Sequence, residues 1–313
     1  MAVKWNKRVM LITILVLVAS MVLAGCNKSN EDAVAKVNGQ YVLKADFDKN
    51  FDMLKKTYEA SFGSDIMSKS AGNGKTIEET LKEKILEKLI IEEIILQNAE
   101  KSKVKVTDED VTKEIDNYKN LVGGDEGFQE FLEKNNMTED FFKKGMKREM
   151  IMEGFKENFI KTLNFSDEDI EKQFNENKDS YISVRASHIL VEKESEAKDI
   201  LNKLKNGEDF AELAKQNSID PGTAQNGGDL GYFSKGEMVP EFEKVAFELK
   251  PGEISDVIKS DYGYHIIKVM DKQDTLQQLK DQVVQQLQNK KYDEKLNKLH
   301  DDSKIEILMS ETK

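Results

Sequence analysis

Val184-Arg185-Ala186-Ser187-His188-Ile189-Leu190-Val191 reads as a β-strand, and a period of two puts Ala186, His188 and Leu190 on one of its faces. A later run, Gly263-Tyr264-His265-Ile266-Ile267, places Gly263, His265 and Ile267 together by the same rule. If the two strands are neighbours, the histidines meet across a sheet. Between and beside them the pattern continues as β-α-α-β-α-β-β. Helices are expected near Ser195–Asn206, Phe210–Gln216 and Glu241–Phe247, and strands near Leu230–Phe233, Ser255–Lys259 and Gly263–Met270. That is a small α/β domain with a half-covered sheet.

Composition sets the same stretch apart. Pro221, Pro240 and Pro251 are the only prolines of the chain, and seven of its 18 glycines lie between Gly222 and Gly263. Elsewhere the sequence is proline-free and rich in Glu, Lys, Leu and Ile, as long helices require. Val34 to Val42 reads as two short strands around an Asn38-Gly39 turn. Helices are expected from Lys44 to about Ser61 and, after a turn-rich Gly63–Gly74, from a capping box at Thr76 and Glu79 to about Lys101. Thr107 with Asp110 opens another, and further helices are expected at Gly127–Asn135, Thr138–Leu163 and Ser166–Asp179. Beyond the proline-bearing module, Leu276, Leu279, Val283, Leu287, Tyr292, Leu296 and Leu299 recur at helical spacing. Such a stripe needs a partner. The economical one is the N-terminal helical region, which makes the module an insertion into a helical domain; a coiled-coil homodimer is the alternative. His300 on this helix is expected to be a solvated surface residue.

At 313 residues the chain is long enough for two folded units. Charged residues are 34% and hydrophobic ones 38%, too polar for many membrane spans and too apolar for disorder. The N-terminus differs. Lys4, Lys7 and Arg8 precede an apolar run from Val9 to Val22 that closes on Leu23-Ala24-Gly25-Cys26, the layout of a signal peptide with a lipobox. Cys26 is the only cysteine, so no intramolecular disulfide can form, and its expected role is to carry a lipid after cleavage. Net charge is −12, and removing the leader with its three cations makes the remainder more negative still, which argues against nucleic acid as a partner. Three histidines and one cysteine offer no dense metal-ligand cluster, and no cofactor is expected.

Four ordered blocks then carry a resemblance. They are Val184–Val191; Gly227-Gly228-Asp229-Leu230-Gly231-Tyr232-Phe233; Gly236-Glu237-Met238-Val239-Pro240-Glu241-Phe242; and Tyr262-Gly263-Tyr264-His265-Ile266-Ile267. Together they resemble a parvulin-type prolyl isomerase. The resemblance implies that His188 and His265 are paired active-site histidines, that Asp220 faces the substrate carbonyl, and that Leu230, Met238 and Phe242 line a proline pocket. The chemistry fits those residue types. Rotation about an X–Pro bond crosses about 18–20 kcal/mol because amide resonance is lost at the twisted state, so a catalyst needs a shaped apolar cup and complementary polar groups rather than a nucleophile. Phosphate-directed members carry basic residues after the first strand. Here that place holds Glu192-Lys193-Glu194-Ser195-Glu196, which would repel a phosphorylated residue.

The helical flanks and lipobox resemble the PrsA-type foldase lipoproteins and, more loosely, SurA-type chaperones. The implied fold class is α+β and multidomain: a mainly helical chaperone domain with an inserted parvulin-like domain whose small antiparallel-type sheet is flanked by helices. The expected divisions are a signal peptide at 1–25, a lipidated tether at 26–32, a helical chaperone domain at 33–180, the isomerase domain at 181–272, and at 273–313 a C-terminal helix packing on the chaperone domain. The implied partners are unfolded or partly folded exported proteins containing X–Pro bonds, with a lipid anchor at Cys26 on the outer face of a single-membrane cell.

Overall fold

A computed structural model describes residues 32–135 and 137–309; the leader and Cys26 lie outside the described residues. The chain divides into two compact units, one formed by the chain up to Leu163 together with the stretch from Lys291 onward, the other by Asn164–Lys290. The second unit is thus an insertion into the first. It is wider at both ends than the expected 181–272.

In the first unit, β1 (Ala33–Val37) and β2 (Gln40–Leu43) form the expected hairpin. Asn38 and Gly39 both have positive φ, 51° and 94°, as a type I′ turn demands. A third strand, β7 (Ile305–Ile307), joins the other side of β1 to give the order β2-β1-β7. The backbone N–H of Asn38 donates to the Lys304 carbonyl at 2.8 Å, and Lys304 N–H returns a bond to Asn38 Oδ1 at 2.8 Å. The helices are α1 (Lys44–Phe62), α2 (Ile77–Lys101), α3 (Asp108–Leu121), α4 (Gly124–Lys134) and α5 (Glu139–Thr162). Capping boxes start α2 at Thr76–Glu79 and α3 at Thr107–Asp110, satisfying N–H groups the first turn leaves orphaned. Ile85, Leu89, Ile90 and Ile94 of α2 bury against Val34, Val37, Val42 and Phe47. A second centre stacks Tyr118, Phe128 and Phe142, fully or nearly buried, with ring centroids 5.1–6.0 Å apart. At about 1.5–3 kcal/mol for each large apolar side chain removed from water, these clusters hold the unit together.

The second unit opens with α6 (Asp167–Glu176) and α7 (Lys178–Tyr181). Its sheet has the antiparallel order β4-β3-β6-β5, with β3 at Ser183–Val191, β4 at Asp229–Ser234, β5 at Ile258–Ser260 and β6 at Gly263–Gln273. The histidine-bearing strands β3 and β6 are therefore neighbours. Helices cover both faces, not one. On the first, Ile189, Val191 and Ile266 pack on α8 (Glu194–Lys205) and α9 (Phe210–Asn217). On the other, Val184, Ala186, Ile267 and Val269 pack on α10 (Pro240–Glu248). The strand expected at Ser255–Lys259 is displaced to Ile258–Ser260. Ser255 is spent on other contacts: its N–H donates to the Ile267 carbonyl at 2.8 Å, and its Oγ accepts from Ile267 N–H at 2.9 Å.

The last helix, α11 (Leu276–Asp301), is divided between the units by its packing. Leu279, Val283 and Leu287 bury against Ile170, Phe174 and Tyr181 of the second unit. Tyr292 packs with Ile95, Ala99 and Phe155 of the first. So only the latter part of this helix serves the helical domain. His300 is exposed.

Candidate active site

Two residues on neighbouring antiparallel strands share a face when their register differs by two. Here His188 lies opposite Ile267 and Leu190 opposite His265, so the histidines are diagonal neighbours. Their rings stack with centroids 5.5 Å apart and an interplanar angle of 21°, and the two Nδ1 atoms are 3.3 Å apart. Both side chains are buried, at 6% and 4% exposure.

Asp220 reaches them from the loop after α9. That loop is pinned along the end of β3, where Ile219 N–H donates to the Leu190 carbonyl at 2.8 Å and Leu190 N–H donates to Ser218 Oγ at 3.1 Å. His188 Nε2 lies 2.8 Å from Asp220 Oδ2. Thr223 Oγ1 donates to the same oxygen, and Gly222 N–H donates to Oδ1 at 3.1 Å. Burial pushes the Asp220 carboxyl upward, but the hydrogen bonds from Thr223, His188 and Gly222 outweigh it and hold the group below the usual carboxylate range. On the other side, Ser260 Oγ is 2.8 Å from His265 Nε2. One proton on each ring satisfies every contact in the row. Ser260 donates to His265 Nε2, His265 Nδ1–H donates to His188 Nδ1, and His188 Nε2–H donates to Asp220. The row ends on a fixed negative charge.

Burial pulls His265 from 6.5 down to about 4, with repulsion from His188 adding to the effect and Asp220 opposing it. Its folded pKa is thus below its unfolded one. Between about pH 6.5 and pH 4 the unfolded chain binds a proton that the folded one refuses, so stability is full above 6.5 and declines as pH falls through this window. The decline is on the order of 3–4 kcal/mol at most. Urea unfolding of the second unit between pH 6.5 and 5.0, above most carboxylate titration, is expected to show the slope, and a His265→Asn variant is expected to flatten it. An unchanged slope in that variant would refute the assignment.

Phe242 of α10 stands edge-on to both histidines, at 5.8 Å and 81° to His188 and 5.5 Å and 78° to His265. Leu230 and Met238 are partly buried hydrophobics on the same core. Of the six residues singled out from the sequence for this module, Asp220, His188 and His265 form one polar row, Phe242 borders both histidines, and Leu230 and Met238 pack on the core that contains Phe242. The sequence reading did not find Ser260 or Thr223, which flank the row, nor Gly228, whose carbonyl accepts from His188 N–H at 2.9 Å. The Gly227-Gly228 pair, both at positive φ, was the available signal for the last. Among the described residues no group of three or more His, Cys, Asp or Glu side chains is placed to hold a metal ion, and no helix is long and apolar enough to cross a membrane.

Known proteins resemble this chain in sequence over both units. Residues 169–273 match the family described as the PPIC-type PPIase domain, and residues 2–156 match the SurA-like N-terminal domain. A foldase protein PrsA of Caldanaerobacter subterraneus subsp. tengcongensis is 36% identical over 252 residues, covering 79% of this chain and 77% of the relative. The foldase protein PrsA of a Geobacillus species is 37% identical, with 91% of each chain covered. A crystal structure of the peptidylprolyl isomerase PrsA from Bacillus anthracis is 34% identical, covering 70% of this chain and 94% of that one, with a TM-score of 0.33. The chain belongs to the PrsA foldase family, and its inserted unit is a parvulin-type peptidyl-prolyl isomerase domain.

Proposed function

We propose that this chain is a lipid-anchored foldase that isomerises unphosphorylated X–Pro bonds in exported proteins arriving unfolded at the outer face of the membrane. The observation that carries the reading is the polar row Asp220–His188–His265–Ser260 beside the apolar Leu230, Met238 and Phe242. The apolar side chains hold the pyrrolidine ring, while the preceding carbonyl turns against the polar row. A planar amide keeps negative charge on its carbonyl oxygen through resonance. A carboxylate fixed near that oxygen opposes the charge and lowers the double-bond character of C–N, so the twisted state gains relative to either planar isomer. No bond to carbon forms, and the histidines serve as the hydrogen-bonded wall that orients Asp220. Exposed Glu192, Glu194 and Glu196 sit where a phosphate-binding member needs cations, which supports ordinary X–Pro substrates.

A proline-peptide isomerisation assay on the chain tests this directly. Asp220→Ala is expected to lower kcat/KM by roughly tenfold or more, about 1.4 kcal/mol of transition-state stabilisation. A wild-type rate no faster than the uncatalysed tens of seconds removes the enzyme reading and leaves a catalytically silent chaperone. Faster turnover of a phosphoserine–proline peptide than of its unphosphorylated counterpart removes the substrate assignment.

Holding of clients belongs to the helical unit. It carries a cleft of about 820 Å³ whose apolar lining includes Met53, Leu54, Leu121, Val122 and Phe131, a size and character suited to an extended apolar segment; flexible methionine adapts to varied side chains. Anchoring rests on the lipobox ending at Cys26. Cys26→Ser is expected to move the protein from the membrane fraction to the medium or a signal-peptide-bearing precursor. Unchanged fractionation and processing would sink the lipid-anchor assignment. The coiled-coil pairing considered for the apolar stripe of α11 is not favoured, because Leu279, Val283, Leu287 and Tyr292 are buried within the chain; sedimentation reads whether two copies pair.

A further inference from the structure

The connection between β4 and α10, Lys235 to Val239, has no regular structure of its own and carries Met238. Two carboxylates hold its backbone. Glu237 Oε2 accepts from Ser234 N–H at 2.6 Å, and Glu243 Oε2 accepts from Gly236 N–H at 2.6 Å. Gly236 has a φ of 89°, a left-handed conformation in which an ordinary residue is strained. Lys235 adds an ion pair to Asp179 at 2.7 Å. Glu237 ties the connection back to β4, which carries Leu230, and Glu243, directly after Phe242 on α10, ties it by a hydrogen bond to that helix, where Lys235 also lies 5.9 Å over the Phe247 ring.

We propose that Glu243 is a positioning residue for the isomerase reaction, clamping the Met238 connection to α10 through the Gly236 amide so that Met238 and Phe242 keep a fixed spacing across the proline ring. The proposal rests on the isomerase reading above. A carboxylate-to-amide bond is among the stronger hydrogen bonds of a protein, whereas each unrestrained backbone residue costs roughly 1–2 kcal/mol to order. Without the clamp, the bound proline must do that ordering. The loss falls equally on bound substrate and transition state, so it raises KM and leaves kcat in place.

A rival role is purely local: an acid in the first turn of α10 favours the helix through its dipole. Glu241 is a second acid in that turn, exposed and with no bond to the connection. It supplies the control. In the whole chain, Glu243→Ala is expected to raise KM for a proline peptide by about tenfold, with kcat within twofold. Glu243→Gln keeps a carbonyl acceptor and is expected to recover most of the loss, and Glu241→Ala to match wild type. With Met238→Ala already in place, adding Glu243→Ala is expected to raise KM little further, because the clamp acts through Met238. The proposal is overturned by an unchanged KM in Glu243→Ala, by an equal effect of Glu241→Ala, or by full additivity with Met238→Ala. Exchange of the Gly236 amide with solvent, measured by NMR, is independent of turnover. It is expected to accelerate at least about tenfold in Glu243→Ala, and an unchanged rate overturns the clamp. A wild-type chain without catalysis would defeat the isomerase reading alone, and the amide measurement would still decide whether Glu243 holds the connection.

Discussion

Gly228→Ala is expected to cost the second unit about 3–5 kcal/mol and to remove isomerase activity with it. A Cβ at this position would lie 2.1 Å from the carbonyl oxygen of His188 and 3.1 Å from both its C and N atoms, all backbone, and the φ of 79° is itself strained for alanine. Strain at positive φ accounts for about 1–3 kcal/mol, and a forced backbone displacement in a packed sheet for a similar amount. The displaced strand is the one that presents His188 to Asp220, so activity is lost even in molecules that stay folded. Gly231→Ala is the matched control: its φ is 70°, and nothing lies within 4 Å of the added Cβ, so only the strain remains. Urea unfolding checks both. A Gly228→Ala protein within about 1 kcal/mol of wild type would show that the approach of the Gly228 segment to β3 is not close.

Phe242→Ala is expected to lower kcat/KM by about 100-fold, roughly 2.7 kcal/mol, and to destabilise the second unit by about 3–5 kcal/mol. The ring is 2% exposed. It borders His188, His265 and Phe233, the last at 5.9 Å, so its removal both empties the wall for the proline ring and frees the imidazoles. Phe242→Leu separates the two effects, since it restores much of the buried volume but not the flat edge against the imidazoles. Assayed at a temperature where each variant is folded, Phe242→Leu is expected to recover stability more than rate. Catalysis within threefold of wild type in Phe242→Ala would remove Phe242 from the pocket.

The placement of the two histidines was legible because strand alternation is a strict rule, whereas Asp220, Leu230, Met238 and Phe242 were indicated only by the resemblance to parvulins. A period of two put Ala186 and His188, and separately His265 and Ile267, on shared faces before any pairing was known, and the pairing of β3 with β6 then made the histidines neighbours. The helices announced themselves through their caps, as at Thr76–Glu79 and Thr107–Asp110. What escaped depends on contacts that no local pattern encodes. Ser260 meets His265 because β5 is three residues long and folds straight back with Ser260 opposite Gly263. Thr223 meets Asp220 because the loop turns through Pro221 and Gly222. Ile305–Ile307 is too short for any period to show, and its strand exists only because β1 offers an edge. The stripe on α11 gave the helix but not its division, since one apolar face can serve two cores in succession.

The pairing of β1 with β7 joins Ala35 to Ile307, nearly the whole length of the chain apart, while the isomerase unit is one continuous stretch. A polypeptide synthesised N-terminus first can complete the continuous unit before its tail has been made. The three-stranded sheet cannot close until the last residues emerge, and closing so large a loop is slow. The helical unit is therefore expected to close last as the chain is made, and a chain stalled just short of Lys304 is expected to carry a folded isomerase unit on an unclosed helical one.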